Sequence, residues 1–250
     1  MFKTDLVIEA QNLVKIYKQG NVKAVDGLNL NIRRGEIYAF IGANGSGKTT
    51  AIKMLTGVLD PTSGSINIFG LSLSKNRKMI ARNIGIAPQD YSIYNDLTVI
   101  ENIKFFAGLY GMNKRMLKAK MNHLIQILRL EDKKDTLIIN LSGGMKRRVS
   151  IACALIHSPR IVFFDEATVG IDPILRKFFW EYFNKLKKEG LTLIITSHVM
   201  DEAERADRIG LIRAGKLIDE GTPKLLKEKH HVNTIEEVFL KLSDEMIKDD

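Results

Sequence analysis

Residues 42–49 read Gly42-Ala43-Asn44-Gly45-Ser46-Gly47-Lys48-Thr49, the pattern G-x-x-x-x-G-K-[ST], and we call them the phosphate loop. An apolar run typical of a buried strand precedes them, and a helix is predicted from Thr50 onwards. The glycines let successive backbone N–H groups converge on phosphate oxygens, Lys48 adds a positive charge, and Thr49 offers a hydroxyl to Mg²⁺. The loop therefore predicts a nucleoside triphosphate site. A plain glycine-rich turn is the alternative, which the flanking strand and helix disfavour.

The composition narrows the possible partners. The chain has 250 residues, a formal charge of +9 and one cysteine, Cys153, so it contains no internal disulfide bond. This charge suits a polyphosphate ligand, a phospholipid surface or a nucleic acid. Aromatic residues do not interleave with the basic clusters as a base-stacking platform would require, so we expect no nucleic-acid partner. No run of about eighteen apolar residues occurs, and we expect that the chain does not cross a membrane by itself.

Two apolar patterns predict two kinds of strand. Apolar and polar side chains alternate in residues 28–32, which is typical of an antiparallel strand with one buried face. Residues 161–164 and 191–195 are short continuous apolar runs, and the helical stretch 174–188 separates them. That order is typical of parallel strands covered on both faces. We predict an α/β fold, a P-loop NTPase core with a mainly parallel sheet and an N-terminal antiparallel β subdomain.

The middle of the chain indicates an inserted α-helical subdomain. Thr98 and Glu101 form a capping box that opens one helix, and residues 114–130 form a second. We treat the chain as one domain, residues 1–250. Its predicted parts are the core with its antiparallel β subdomain at about 1–88 and 159–222, the helical subdomain at about 89–158, and C-terminal helices at about 223–250.

Two adjacent carboxylates, Asp165 and Glu166, directly follow the apolar run 161–164. Open parallel sheets bind ligands at the carboxyl ends of their strands, so we expect both side chains near the phosphate loop. Asp165 and Thr49 would hold Mg²⁺, and Glu166 would orient and deprotonate the attacking water. Without the phosphate loop, the pair would indicate only an acidic surface.

Two more polar side chains end predicted strands at the same edge of the sheet. His198 follows the strand next to the carboxylates and is placed to donate a hydrogen bond to a γ-phosphate or to the attacking water. A lone histidine is otherwise unremarkable. Gln89 ends another strand just before the helical insertion. Its neutral amide is suited to reach both metal and water, and would link the insertion to the nucleotide state.

A second glycine-rich helix start occurs at Ser142-Gly143-Gly144, which we call the signature segment. Ser142 is a good N-cap, and the two glycines expose the helix amides, so this helix end is a second candidate anion site. One triphosphate seldom needs two such sites from one subunit. We therefore interpret the signature segment as serving a partner's nucleotide, although Ser-Gly-Gly alone is equally typical of an ordinary turn.

In this order, the motifs resemble those of the nucleotide-binding subunit of an ABC transporter. The matching residues cover nearly the whole chain: Tyr17, Gly42 to Thr50, Gln89, Leu141 to Met145, Ile161 to Glu166, Gly170-Ile171-Asp172 and His198. In that family two subunits pair head to tail, and each signature segment closes over the other subunit's ATP. The resemblance implies that Tyr17 stacks on adenine and that Asp172 is a dimer contact. The alternatives are a core aromatic for Tyr17 and an ordinary helix N-cap for Asp172.

Finer similarities indicate a subgroup. Residues 96–102, 141–148 and 235–240 look like drug-resistance-type exporter ATPases, in which methionine is usual at position 145. Ala167 departs from the family, which mostly has proline there. The resemblance implies ATP and Mg²⁺ as cofactors, a homodimer or a paired ATPase subunit, and an integral membrane permease as a separate chain. It also implies a peripheral location on the cytoplasmic face of the cell membrane.

Two other classes of protein use the same loop. A soluble ABC-type ATPase acting on nucleic acid or ribosomes usually carries paired cassettes, zinc insertions or long coiled coils, and none is visible in this sequence. A P-loop kinase would place Asp165 or Glu166 near an acceptor hydroxyl and would need no signature segment. The expected function is an ATPase subunit of an exporter.

Overall fold

The structure, a computed structural model, describes residues 5–166, Thr168 and residues 171–248, with side chains up to residue 244. Ala167 and Gly170, named above for their places in the family motifs, lie outside the described residues. Within the described ranges, no helix combines the length and the apolar character that crossing a bilayer requires.

The chain alternates between strands and helices. The strands are β1 (Leu6–Tyr17), β2 (Val22–Arg33), β3 (Ile37–Ile41), β4 (Ser63–Ile68), β5 (Leu71–Ser72), β6 (Ile84–Ala87), β7 (Ile161–Asp165), β8 (Thr192–Ser197), β9 (Arg208–Arg213) and β10 (Lys216–Gly221). The helices are α1 (Lys48–Leu55), α2 (Leu73–Ala81), α3 (Val99–Leu109), α4 (Lys114–Ile127), α5 (Gly143–Leu155), α6 (Pro173–Lys188), α7 (Met200–Ala203), α8 (Pro223–His230) and α9 (Ile235–Lys248).

A six-stranded sheet in the order β10-β9-β3-β8-β7-β6 forms the centre of the fold. All neighbouring pairs are parallel except β10 and β9, which form an antiparallel hairpin. The register pairs Ile41 with Ser197 and Asp165 with Thr196, so β3, β7 and β8 end at the same edge. This confirms the mainly parallel sheet and brings the predicted site residues to one side of it.

Side chains of the central strands alternate between two buried cores. On β3, Tyr38 and Phe40 pack with β1, β2 and α1, whereas Ile37, Ala39 and Ile41 pack with the helices on the opposite face. Neither face of these strands is solvated, which explains why they read as continuous apolar runs in the sequence.

A second sheet in the order β2-β1-β4-β5 is antiparallel throughout and covers one face of the central sheet. It confirms the expected antiparallel β subdomain near the N-terminus. Its strands β4 and β5 and the helix α2 lie in residues 63–81, for which no element was predicted.

Both helices of the insertion begin as expected, and α4 ends earlier than predicted. At the start of α3, the Glu101 backbone N–H donates to Thr98 Oγ1 at 3.2 Å, and the Thr98 N–H donates to Glu101 Oε2 at 2.8 Å, which is the predicted capping box. Helix α4 ends at Ile127 instead of residue 130, because Arg129 adopts a left-handed φ of 53° that a helix cannot continue through. The subdomain boundaries remain predictions.

Candidate functional site

The phosphate loop lies between β3 and α1, as the sequence predicts. Two of its glycines, Gly42 and Gly47, are required by close approaches of other backbone segments. A Cβ on Gly42 would collide with the carbonyl oxygen of Ile212, and a Cβ on Gly47, whose φ is 106°, would collide with that of Ala24. The loop can therefore keep this shape only with glycine at both positions.

Lys48 is the most buried charge of the loop, with 4% of its surface exposed. Its Nζ donates hydrogen bonds to the carbonyl oxygens of Gly42 at 2.8 Å and of Ala43 at 2.9 Å. Burial lowers the pKa of Lys48, and the negative charges of Glu166 and Asp165 partly oppose that shift. The ammonium group is thus held over the loop by its own carbonyl groups, facing the two carboxylates.

Asp165 ends β7 and is fixed by two hydroxyl groups. Its Oδ1 accepts a hydrogen bond from Thr196 Oγ1 at 2.5 Å and lies 3.4 Å from Thr49 Oγ1. Thr196 belongs to the neighbouring strand β8 and also accepts a hydrogen bond from the Glu166 backbone N–H at 2.9 Å. One buried hydroxyl therefore sets the positions of both carboxylate-bearing residues.

Glu166 and His198 form a pair beside the loop. Glu166 has a left-handed φ of 51° and is 8% exposed, and its Oε1 lies 3.4 Å from His198 Nδ1. A positive φ is unusual for a residue with a side chain and is often found at functional sites. The turn directs the Glu166 side chain into the same cavity as the loop.

A cavity of about 280 Å³ is lined by Ala24 and by predicted residues of the phosphate loop and its surroundings. Its lining consists of Ala24, Asn44, Gly45, Ser46, Gly47, Lys48, Thr49, Thr50, Gln89 and Glu166. Asp165 and His198 do not line the cavity but contact residues that do: Asp165 contacts Thr49, and His198 contacts Glu166. Tyr17 lies at the end of β1 with its Oη 3.4 Å from Thr50 Oγ1, and its ring is partly exposed.

The signature segment opens α5 elsewhere on the molecule. Ser142 Oγ accepts a hydrogen bond from the Met145 N–H at 3.3 Å, which confirms its role as an N-cap, and Ser142 and Gly143 are exposed. In the described part of the chain, the lining of the phosphate-loop cavity includes no residue of α5. Asp172 is the N-cap of α6 and accepts from the Leu175 N–H at 2.9 Å.

Some residues of the site were not predicted. No role was predicted from the sequence for Thr196 or for Arg147. Arg147 is buried and donates to the carbonyl oxygens of Pro88 and Gln89. The signal that could have identified Arg147 is its spacing, because it shares a helix face with the buried Ile151 and Ala154, and a charge on a buried face needs a partner.

Several known proteins are similar to this chain. A family model described as ABC transporter matches residues 25–169. The probable multidrug ABC transporter ATP-binding protein YbhF of Escherichia coli (strain K12) is 39% identical over 243 residues, which cover 95% of this chain and 42% of that protein. The chain thus spans less than half of the length of that relative.

Two further proteins are similar to this chain over a larger share of their own length. The Nod factor export ATP-binding protein I of Burkholderia orbicola (strain AU 1054) is 38% identical over 222 residues, covering 88% of this chain and 72% of that protein. A solved structure described as a dimeric bacterial ABC transporter cassette matches with a TM-score of 0.80 at 27% identity, covering 86% of this chain and 98% of that chain.

Proposed function

Because this chain belongs to the ABC transporter family, we propose that it is the ATP-binding and ATP-hydrolysing subunit of an exporter. The observation that carries the proposal is the convergence of the phosphate loop, Gln89 and Glu166 on one cavity, with Asp165 and His198 directly behind it. This set provides a phosphate cradle, oxygen donors for a cation, and a base near the reacting phosphate.

The phosphate loop would hold the triphosphate through its backbone N–H groups and through Lys48. The Lys48 ammonium already points at the loop interior, where it contacts two carbonyl oxygens. On ATP binding, Lys48 would exchange these neutral acceptors for phosphate oxygens, which is favourable because charge-assisted hydrogen bonds are stronger. Tyr17, beside Thr50, would stack on the adenine ring.

The donor groups near Thr49 fit Mg²⁺. The Thr49 hydroxyl and the Asp165 carboxylate lie 3.4 Å apart, and Gln89 lines the same cavity. Mg²⁺ prefers such oxygen ligands together with water and phosphate oxygens. When bound, the ion would neutralise charge that develops on the phosphate groups during transfer. Thr49, Asp165 and Gln89 are the residues that would hold it.

Glu166 is the proposed general base. Its carboxylate would take a proton from a water molecule as the water oxygen bonds to the γ-phosphorus and the bond from that phosphorus to the ADP oxygen breaks. His198, 3.4 Å from Glu166, would hold the carboxylate in place and donate a hydrogen bond to the γ-phosphate. Preorganised donors of this kind need no rearrangement during the reaction.

The signature segment supports a paired assembly. Ser142 and Gly143 are exposed and Gly144 is half-buried, and this helix N-terminus does not line the subunit's own cavity among the described residues. We propose that the three residues contact the ATP of a second subunit. Asp172 would lie at the seam between the two. ATP would stabilise the pair because it touches both subunits only in the closed state, and hydrolysis would separate them.

The proposal includes an integral membrane permease as a separate chain, contacted on the cytoplasmic face of the membrane, where ATP is available. The export direction draws on the Nod factor export protein and the multidrug transporter protein, to which this chain is similar over most of its length.

The test replaces the base. We expect Glu166→Gln to slow ATP hydrolysis by about 10²- to 10⁴-fold, the usual contribution of a general base, while ATP binding persists. ATP-dependent dimers should accumulate and be visible in sedimentation. Glu181→Gln is the matched control, because Glu181 is an exposed carboxylate on α6 that forms a surface ion pair with Lys177 at 3.9 Å. Unchanged turnover in Glu166→Gln would reject the assignment.

A further inference from the structure

Arg147 donates two hydrogen bonds to backbone carbonyl groups and is not one of the proposed catalytic residues. It lies near the start of α5 and is 5% exposed. Its Nη1 donates to the carbonyl oxygen of Pro88 at 2.6 Å, and its Nη2 donates to that of Gln89 at 3.0 Å. The guanidinium carbon also lies 5.0 Å from the centroid of the Tyr91 ring. Only the planar fork of arginine can hold two successive carbonyl groups while stacking on an aromatic ring.

Residues 88–91, which we call the glutamine segment, also touch the signature segment. A Cβ built on Gly143 would lie 3.2 Å from the Tyr91 hydroxyl. Gln89 itself lines the phosphate-loop cavity. The glutamine segment thus contacts the nucleotide cavity on one side and the start of α5 on the other. The hydrogen bonds of Arg147 connect α5 to this segment.

The surroundings of the Arg147 guanidinium group stabilise its contact with the glutamine segment. A buried guanidinium group is costly unless it is paired, and the two backbone carbonyl groups supply that pairing. Burial lowers the pKa of Arg147, while Tyr91, Asp165, Glu166 and Asp90 oppose the shift. The arginine is therefore attracted to the carboxylates that would surround the γ-phosphate, although it does not touch them.

We propose that Arg147 is a positioning residue that makes the glutamine segment and the signature segment move as one body. ATP contacted by Gln89 in one subunit then sets the position of the helix end that meets the partner's ATP. The inference rests on the proposed function, because it requires a second subunit. Its distinguishing consequence is that removal of the fork weakens ATP-driven pairing without weakening ATP binding to the single subunit.

The experiment measures these two quantities separately in the Glu166→Gln background, which does not consume ATP. Binding of a fluorescent ATP analogue is titrated at protein concentrations too low for pairing, and the dimer dissociation constant is measured with ATP by sedimentation. The variants are Arg147→Met and Arg147→Lys. Arg115→Met, which removes an exposed arginine of α4, is the control.

We expect Arg147→Met to leave the analogue affinity within about twofold of the parent and to weaken dimerisation about tenfold or more, within the usual range of coupling between sites. Arg147→Lys keeps the charge and the buried stem but loses the fork, so we expect a smaller change in the same direction. It carries the test alone if Arg147→Met does not fold, as judged by its thermal midpoint. Arg115→Met should match the parent.

Two results would overturn the inference. One is dimerisation of both Arg147 variants as tight as in the parent. The other is an equal loss of analogue binding and dimerisation, which would make Arg147 a support of the cavity alone. If the Glu166→Gln parent itself does not pair with ATP, the proposed function fails, and this inference fails with it.

Discussion

At the scale of single residues, Thr196 holds both carboxylate-bearing residues of the site in place. It is fully buried, and its hydroxyl donates to Asp165 and accepts from the backbone of Glu166. The sequence predicted the carboxylates from their place after an apolar run. It could not predict Thr196, because that contact depends on the register that pairs Asp165 with Thr196 across two strands.

Thr196→Val tests this role with almost no change in shape. The variant leaves the Glu166 N–H without its acceptor and Asp165 without its donor, at a cost of about 1–3 kcal/mol for an unpaired buried group. If this cost raises the activation free energy of hydrolysis, we expect the hydrolysis rate to fall about tenfold or more. ATP affinity should change by less than about twofold, since the phosphate loop is intact. Steady-state hydrolysis and nucleotide titration measure the two.

Thr192→Val is the matched control for that substitution. Thr192 begins the same strand β8, is equally buried, and accepts a hydrogen bond from the Gly35 N–H at 3.0 Å, far along the strand from Asp165. We expect it to lower the free energy of unfolding and to leave hydrolysis per folded molecule unchanged. Equal rates in both variants and the parent would show that Thr196 has no role in positioning the carboxylates.

At the scale of elements, α5 connects the signature segment to the core. Just beyond its end, the His157 ring stacks on Tyr110 with centroids 3.6 Å apart, and its Nε2–H donates to the Ile84 carbonyl oxygen at 3.0 Å. The buried Nδ1 has no hydrogen-bond partner among the described residues. Burial lowers the pKa of His157 to about 4. The helix end is therefore anchored by a neutral imidazole.

This anchor implies a pH dependence of stability. The unfolded chain binds the His157 proton near the ordinary value of 6.5, whereas the folded chain binds it only near pH 4. The stabilisation by neutral His157 is therefore fully present above about pH 6.5 and is lost as the pH falls toward 4. We expect His157→Phe, which keeps a stacked ring but does not titrate, to lose less stability between pH 7.5 and 5 than the wild type.

Urea unfolding at the two pH values measures that difference. The comparison cancels the contribution of other titrating groups, which both proteins share. Equal losses of unfolding free energy in the wild type and in His157→Phe would contradict the account of the anchor.

How far the elements could be predicted depended on periodicity. The central strands and α6 were predictable, because both faces of the strands are buried and their apolar runs are unbroken. No element was predicted in residues 63–81, because β4 has just two buried side chains, Ile66 and Ile68, and β5 has two residues. The pairing of β4 with β1 stabilises residues 63–68. A contact between segments so distant in sequence leaves no local pattern.

At the scale of the whole molecule, the chain has a nucleotide cavity on one surface and an exposed signature segment that does not line it among the described residues. The sequence predicted two candidate anion-binding helix ends, although one nucleotide seldom needs two from one subunit, and anion binding at the second stays a prediction. The connection between them through Arg147 became visible only in the fold, because its partners are 58 and 59 residues away along the chain.

Crosslinking tests the shared site most directly. Asn44 and Ser142 are both exposed, and the natural Cys153 is buried, which raises the pKa of its thiol and keeps it unreactive. Two single variants, Asn44→Cys and Ser142→Cys, are prepared in the Glu166→Gln background, mixed, and treated with a short bis-maleimide with and without Mg·ATP. The double variant in one chain is treated in the same way.

We expect ATP to produce, in the mixture, a covalent species of twice the 28.2 kDa chain mass, and the double variant to form dimers as well. The contradicting result is a mixture that stays monomeric with ATP while the double variant crosslinks within a single chain.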